Sequence, residues 1–168
     1  SIVCDKTGTL THACPRVARV IPFNGMEEAE MLRLAACLEE HFPHSMANAV
    51  VEEAKRRGLS HEERHAKVEY LVAHGIASSV DGEQVCIGSA HFIFEDEKCV
   101  IPEGEENKFD ALPPEFSQLY LAIDGVLSAV ICISDPLREE AKNVLSALRG
   151  LGVKNAVMLT EDSPRNAV

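Results

Sequence analysis

The chain has 168 residues, with 16 basic and 27 acidic side chains and a net charge of −11, a balance that excludes a nucleic-acid-binding surface. An apolar fraction of 46% and a charged fraction of 26% exclude disorder and fit one large globular domain or two small ones with a real core. The longest apolar run, residues 126–133, falls far short of the roughly 20 residues that span a bilayer, and the chain opens on strand-like Ile2-Val3 without a signal-peptide pattern. The six cysteines, Cys4, Cys14, Cys37, Cys86, Cys99 and Cys132, show no C-x-x-C pair and no zinc-type spacing. Cys4, Cys86 and Cys132 lie in apolar, strand-like runs, so buried reduced thiols in a reducing, cytoplasmic compartment are expected.

The first strand runs into Cys4-Asp-Lys-Thr-Gly-Thr-Leu-Thr11. A strand entering a polar, Gly-containing turn leaves Asp5 at its carboxyl end, where open α/β sheets place ligands. There a carboxylate can act as a nucleophile, Lys6 adds positive charge, and the Thr hydroxyls and the backbone N–H groups around Gly8 can hold phosphate oxygens. By itself an Asp-Lys-Thr-Gly tetrapeptide also reads as a surface turn. The whole octapeptide resembles, without a gap, the phosphorylation signature of the P-type ion-pumping ATPases. In related phosphatases of the haloacid dehalogenase superfamily a second Asp follows the nucleophile by two residues and serves as general acid/base. Here Thr7 stands in that place. A hydroxyl is a poor base, so the resemblance implies a phosphoenzyme that persists until its hydrolysis is triggered.

Residues 16–23 alternate as a strand and end at the turn pair Asn24-Gly25. Residues 26–40 have the helical period, with Met31, Leu32, Leu34, Ala35 and Leu38 on one side. A second helix is expected from His44 or Ser45 to Arg57, stopped by Gly58. The corner between them, Glu39 to Ser45, gathers carboxylates and imidazoles at a helix N-terminus, a place that suits a ligand. Taken alone, His44 is also a helix cap or a partly buried histidine. Glu39 and His44 resemble the Glu and His-Pro of the heavy-metal branch of P-type ATPases, which implies that His44 helps orient adenine. Ser45 departs from that pattern, although Ser can begin a helix.

His61 and His65 have an i, i+4 spacing that could face a metal, or belong to a solvated charged helix or turn, since no third ligand is apparent. Residues 67–79 read as two strands about a turn at 73–75, followed by an Asp81-Gly82 hairpin and the strand 85–88. Family members carry Gly-x-Gly at the first turn so that the backbone can press on the nucleotide; here Ala73 replaces the first Gly and Gly75 matches the second. Gly88-Ser89 resembles the family's next pocket-bordering step. Residues 94–114, rich in acids, Gly and Pro, read as a loop with one short helix near 95–99. Strands at 118–123 and 126–133 flank an Asp124-Gly125 turn.

Asp135-Pro-x-Arg138 and the helix 139–149, with a Gly150/Gly152 stop and a strand at 153–159, read as a βαβ-like return. The family has Asp-Pro-x-Arg at its re-entry into the phosphorylation domain, which implies that Asp135 helps set the hinge and the geometry near the nucleotide. Thr160-Glu161-Asp162 matches the family's Thr-Gly-Asp except at Glu161, whose charge opposes an anion.

These resemblances imply an α/β haloacid-dehalogenase-like, Rossmann-like phosphorylation domain, incomplete, in parts 1–14 and 131–168. An α+β nucleotide-binding domain built on an antiparallel sheet is inserted at 15–130. They also imply transfer of the ATP γ-phosphoryl to Asp5. Lys6, Thr7, Thr160 and Asp162 surround the phosphate, Asp5 and Thr7 face Mg²⁺, and Glu39, His44, Gly75, Gly88 and Asp135 serve the nucleotide. The expected partners are ATP or ADP, a metal cation carried elsewhere in an intact membrane pump, and actuator and transmembrane domains, with this region soluble on the cytoplasmic side. The family's Gly-Asp-Gly-x-Asn-Asp segment does not occur here, so weak phosphoenzyme formation is expected of this piece alone. A non-catalytic nucleotide sensor and a capped phosphatase of the same superfamily are the rival expectations; Thr7 opposes the second.

Overall fold

The computed structural model describes residues 1–5, 9–12, 14–40, 44–59, 65–71 and 75–159. In chain order the elements are β1 (Ile2–Asp5), β2 (Arg16–Pro22), α1 (Glu28–Glu39), α2 (Ser45–Arg56), β3 (His65–Leu71), β4 (Gly75–Val80) and β5 (Glu83–Gly88). A single π-helical turn (Phe92–Asp96), α3 (Glu106–Asp110), β6 (Ser117–Ile123), β7 (Val126–Ser134), α4 (Glu139–Gly150) and β8 (Ala156–Leu159) follow. β1 and β8 form a parallel pair in register from Ile2↔Ala156 to Asp5↔Leu159. The other strands form one antiparallel sheet in the order β2-β7-β6-β5-β4-β3. The fold is therefore α/β around Asp5 and α+β between, as the sequence implied.

Turn chemistry sets much of this register. Asp81-Gly82 and Asp124-Gly125 both have φ positive at both residues, the conformation that matches a hairpin to the twist of its strands. Helices α2 and α4 end by a shared device. After α2, Gly58 takes φ +70, its N–H bonds Lys55 O at 3.0 Å and the Leu59 N–H bonds Ala54 O at 2.9 Å, while Leu59 packs on the core. Gly152 ends α4 in the same way, with Val153 N–H on Leu148 O at 3.1 Å.

Both faces of the antiparallel sheet are covered. On one, Met31, Leu32, Ala35 and Leu38 of α1 and Val50 and Ala54 of α2 meet Ile76, Val85, Ile87, Leu121 and Ile131. Small residues at 35 and 54 let the helices lie close to the strands. On the other, Phe23, Phe92, Ile93 and Tyr120 form an apolar layer with Cys86, Cys99 and Cys132. Rings of Phe94 stand edge-on to Phe109 and Tyr120, with centroids 5.5 and 5.6 Å away. Double coverage explains why β7 reads as a near-continuous apolar run, interrupted by Ser128, rather than an alternating one.

Several local expectations are corrected. The short helix expected near 95–99 is a π turn at Phe92–Asp96, and α3 lies in what composition marked as loop. His65 opens β3 rather than a helix or charged turn, because it pairs with Val80. The last strand begins at Ala156, since Val153 is used in the α4 cap. Of the cysteines, Cys37, Cys86, Cys99 and Cys132 are buried, Cys4 is half-buried and Cys14 is exposed. Burial pushes the Cys86 thiol up to about 12 and the Cys132 thiol up to about 11, so both stay protonated. β7 continues through Ser134, so residues 131–134 are part of the antiparallel sheet.

Candidate functional site

The corner between α1 and α2 is built from the end of one helix and the start of the next. Glu39 is the last residue of α1 and is 2% exposed. His44 is the N-cap of α2, with φ −134 and ψ 169, and its Nδ1 accepts the Ala47 backbone N–H at 3.3 Å. An accepting Nδ1 means that the proton of the neutral ring sits on Nε2. That nitrogen lies 3.2 Å from Glu39 Oε2. Glu39 Oε2 is buried, and among the described residues it faces His44 Nε2 without the alignment of a full hydrogen bond. A buried carboxylate oxygen without an aligned donor is costly, and it fits a ligand that brings an N–H group.

Two forces act on the His44 proton. The close contact with Glu39 raises the imidazole above its ordinary value of 6.5, and partial burial opposes it. The cap at Nδ1 also favours the neutral ring, but that bond is long, so Glu39 dominates. Ser45 occupies the first helical position, where a proline is well tolerated, and His44 already has the extended backbone that a following proline demands. Ser45 therefore leaves the corner's geometry intact.

A second group stands at the crossing between the two sheets. Thr11, fully buried, donates its hydroxyl to Asp135 Oδ2 at 2.5 Å. The chains on either side are laced together: Arg138 N–H bonds Leu10 O at 2.8 Å, Arg138 Nε donates to Thr11 O at 3.0 Å, and His12 N–H bonds Pro136 O at 3.1 Å. Asp135 Oδ1 is buried and, among the described residues, has no hydrogen-bond partner. Thr11 was not among the expected site residues. The only sequence signal for it was its place as the last hydroxyl of the octapeptide.

Asp5 ends β1 opposite Leu159, with its side chain exposed. Gly75 and Gly88 are cross-strand partners in β4 and β5. The structure thus brings together Glu39 with His44, Gly75 with Gly88, and Asp135 with Thr11. Lys6, Thr7, Thr160 and Asp162 lie outside the described residues, as do Ala73, Glu161 and His61. Asp5 is the one expected Mg²⁺ ligand that is described, and a single carboxylate suits Mg²⁺, which takes much of its octahedron from phosphate and water. Among the described residues no group of three metal-ligating side chains is present, and no helix is long and apolar enough to cross a membrane.

Comparison with known proteins gives a consistent result. A family profile described as haloacid dehalogenase-like hydrolase matches residues 1–168. The chain is 36% identical over 168 residues to a copper-exporting P-type ATPase of Legionella pneumophila, covering 99% of this chain and 22% of that protein. It is 35% identical over 165 residues to a zinc-exporting P-type ATPase of Mycobacterium marinum, covering 98% and 22%. Against a zinc/cadmium/lead-transporting P-type ATPase of Escherichia coli it is 36% identical, covering 99% and 22%. The chain therefore spans about a fifth of the length of these relatives. Among solved structures it superposes on a zinc-transporting PIB-type ATPase in the E2.Pi state with a TM-score of 0.69 at 35% identity, over 98% of this chain and 26% of that one. It also superposes on the N-domain of a copper-transporting P-type ATPase with a TM-score of 0.60 at 25% identity, over 71% of this chain and 99% of that one.

Proposed function

Since the chain belongs to the haloacid dehalogenase-like hydrolase family, we propose that it is the nucleotide-binding and phosphorylation region of a heavy-metal cation-transporting P-type ATPase. In this reading the antiparallel sheet with α1 and α2 holds ATP, and the parallel pair carries the acceptor, Asp5. The observation that carries it is the Glu39–His44 corner. A buried acceptor without an aligned donor, beside an imidazole held at a helix N-terminus, is matched by adenine, which offers an amino N–H and a flat ring.

The Asp5 carboxylate forms a bond to the γ-phosphorus, the bond from that phosphorus to the bridging oxygen breaks, and ADP leaves with the electron pair. Lys6, Thr7 and Thr160 hold the transferring group, and Mg²⁺, when bound beside Asp5 and Thr7, supplies charge neutralisation at the phosphates. The Thr11–Asp135 link ties the phosphorylation side to the nucleotide side at the crossing.

The test is a calorimetric titration of the chain with ATP and with ADP, with and without Mg²⁺, beside Glu39→Gln and His44→Ala. Similar binding of both nucleotides, weakened by roughly tenfold in either variant and little changed by Mg²⁺, is expected if the adenine corner supplies the affinity. Absence of binding, or binding indifferent to both substitutions, rejects the reading.

A further inference from the structure

Gly75 and Gly88 begin a row across the sheet that continues through Tyr120, Val130 and Ile21. Residues directly opposite in antiparallel strands point to the same face. Tyr120, Val130 and Ile21 all pack in the aromatic layer, so the absent side chains of Gly75 and Gly88 face that layer too, away from α1 and α2. Neither glycine has a positive φ. The backbone conformation therefore does not call for glycine at either place.

Space calls for it at Gly75. A Cβ added there would lie 2.1 Å from Phe92 Cδ1, 2.5 Å from Cε1 and 2.6 Å from Cγ, well inside any tolerated contact. The ring has little room to retreat. Phe92 is 2% exposed and sits in the layer with Ala77, Cys86 and Tyr120. Ser89 anchors its backbone: the Phe92 N–H donates to Ser89 Oγ at 3.2 Å and the Ile93 N–H to Ser89 O at 3.0 Å. The Gly88-Ser89 step thus ends β5 beside Gly75 and also starts the π turn that carries the ring.

We propose that Phe92 is a positioning residue of the nucleotide pocket: its ring, and not the ligand, is what requires glycine at 75, and it supports the paired Gly75–Gly88 backbone from behind. This rests on the nucleotide reading above, with Gly75 and Gly88 as pocket wall. It reverses the expectation that Gly75 is bare so that the nucleotide can approach.

The test uses the whole 168-residue chain as wild type, Gly75→Ala, Phe92→Leu and the double variant, each followed by thermal unfolding and by ATP titration. Gly75→Ala is expected to lower Tm by roughly 5 °C or more, as overpacking does, and to weaken ATP binding by roughly tenfold. Phe92→Leu alone weakens binding several-fold because the wall loses its support. In the double variant the added methyl occupies the space the ring gave up, and both Tm and ATP affinity recover most of the way. Recovery of Tm without recovery of affinity shows that the ligand itself demands glycine and overturns the proposal. So does a Gly75→Ala protein as stable as wild type, or a Phe92→Leu protein with unchanged affinity. Should Gly75→Ala fail to fold, folding of the double variant decides the steric claim and its affinity decides the pocket claim. If wild type binds no ATP, the functional reading fails and the pocket role with it, while the Tm arm still reports whether Gly75 and Phe92 are coupled.

Discussion

In the antiparallel sheet every residue of β7 from Leu127 to Ile133 is buried, whereas in the parallel pair Val3 is 59% and Val157 48% exposed. The helix that precedes β8 repeats the contrast: α4 has an amphipathic pattern yet buries none of its residues, while α1 buries most of its second half. Hydrogen-bonded pairing and helical periodicity are thus present in both regions, but among the described residues only one has apolar surface against both sides of its strands. Burial, not pairing, supplies most of the stability of a domain. The candidate nucleotide corner stands on the well-covered region and the candidate acceptor, Asp5, on the thinly covered one. The laced crossing at Thr11 and Asp135 joins them.

The largest expected effect tests that contrast directly. Leu121→Ala, at a fully buried position between the two layers, is expected to cost about 2–5 kcal/mol. Val144→Ala on α4, 53% exposed, is expected to stay within about 0.5 kcal/mol. Urea unfolding of both variants measures the difference, and equal losses would mean that α4 has a partner face as important as the sheet.

A smaller effect is expected at the crossing. Thr11→Val keeps the shape but leaves the Asp135 carboxylate without its donor, a loss of about 1–3 kcal/mol. Thr11→Ser keeps the hydroxyl and should recover most of it. If Thr11→Val unfolds at the wild-type urea concentration, the link does not couple the two regions.

The smallest effect lies in the pH dependence of the corner. His44 has its folded-state value raised by Glu39. A raised imidazole contributes stability that is fully present below its unfolded value of about 6.5 and is lost as pH rises through the folded value. NMR titration of the His44 ring should show a midpoint above 6.5, and Glu39→Gln should bring it back down. A midpoint unchanged by that substitution would show that the contact at 3.2 Å does not govern the ring.

Much of the fold was legible because local chemistry dictates it. The Asp-Gly pairs announced their hairpins, Gly58 its helix end, and the apolar run of β7 a strand paired across the Asp124-Gly125 turn. The pairing of Glu39 with His44 was legible from a five-residue separation across a helix break. The role of Thr11 was not, since its partner is 124 residues away in sequence. Nor was the reason for Gly75, because glycine looks the same whether it makes room for a ligand, a turn or a neighbouring ring.

What the sequence by itself determined was most of the elements and the chemical character of the candidate site: a carboxylate at a strand end, a Glu and a His at a helix start, and two glycines at pocket-bordering steps. Periodicity, turn residues and caps act within a few residues, so they can be read in one dimension. Only the tertiary structure decided which faces are sealed, that Asp135 is held by Thr11, and that Phe92 fills the space beside Gly75. Those outcomes depend on which side chains from distant segments share a volume, and excluded volume has no signature in a linear string.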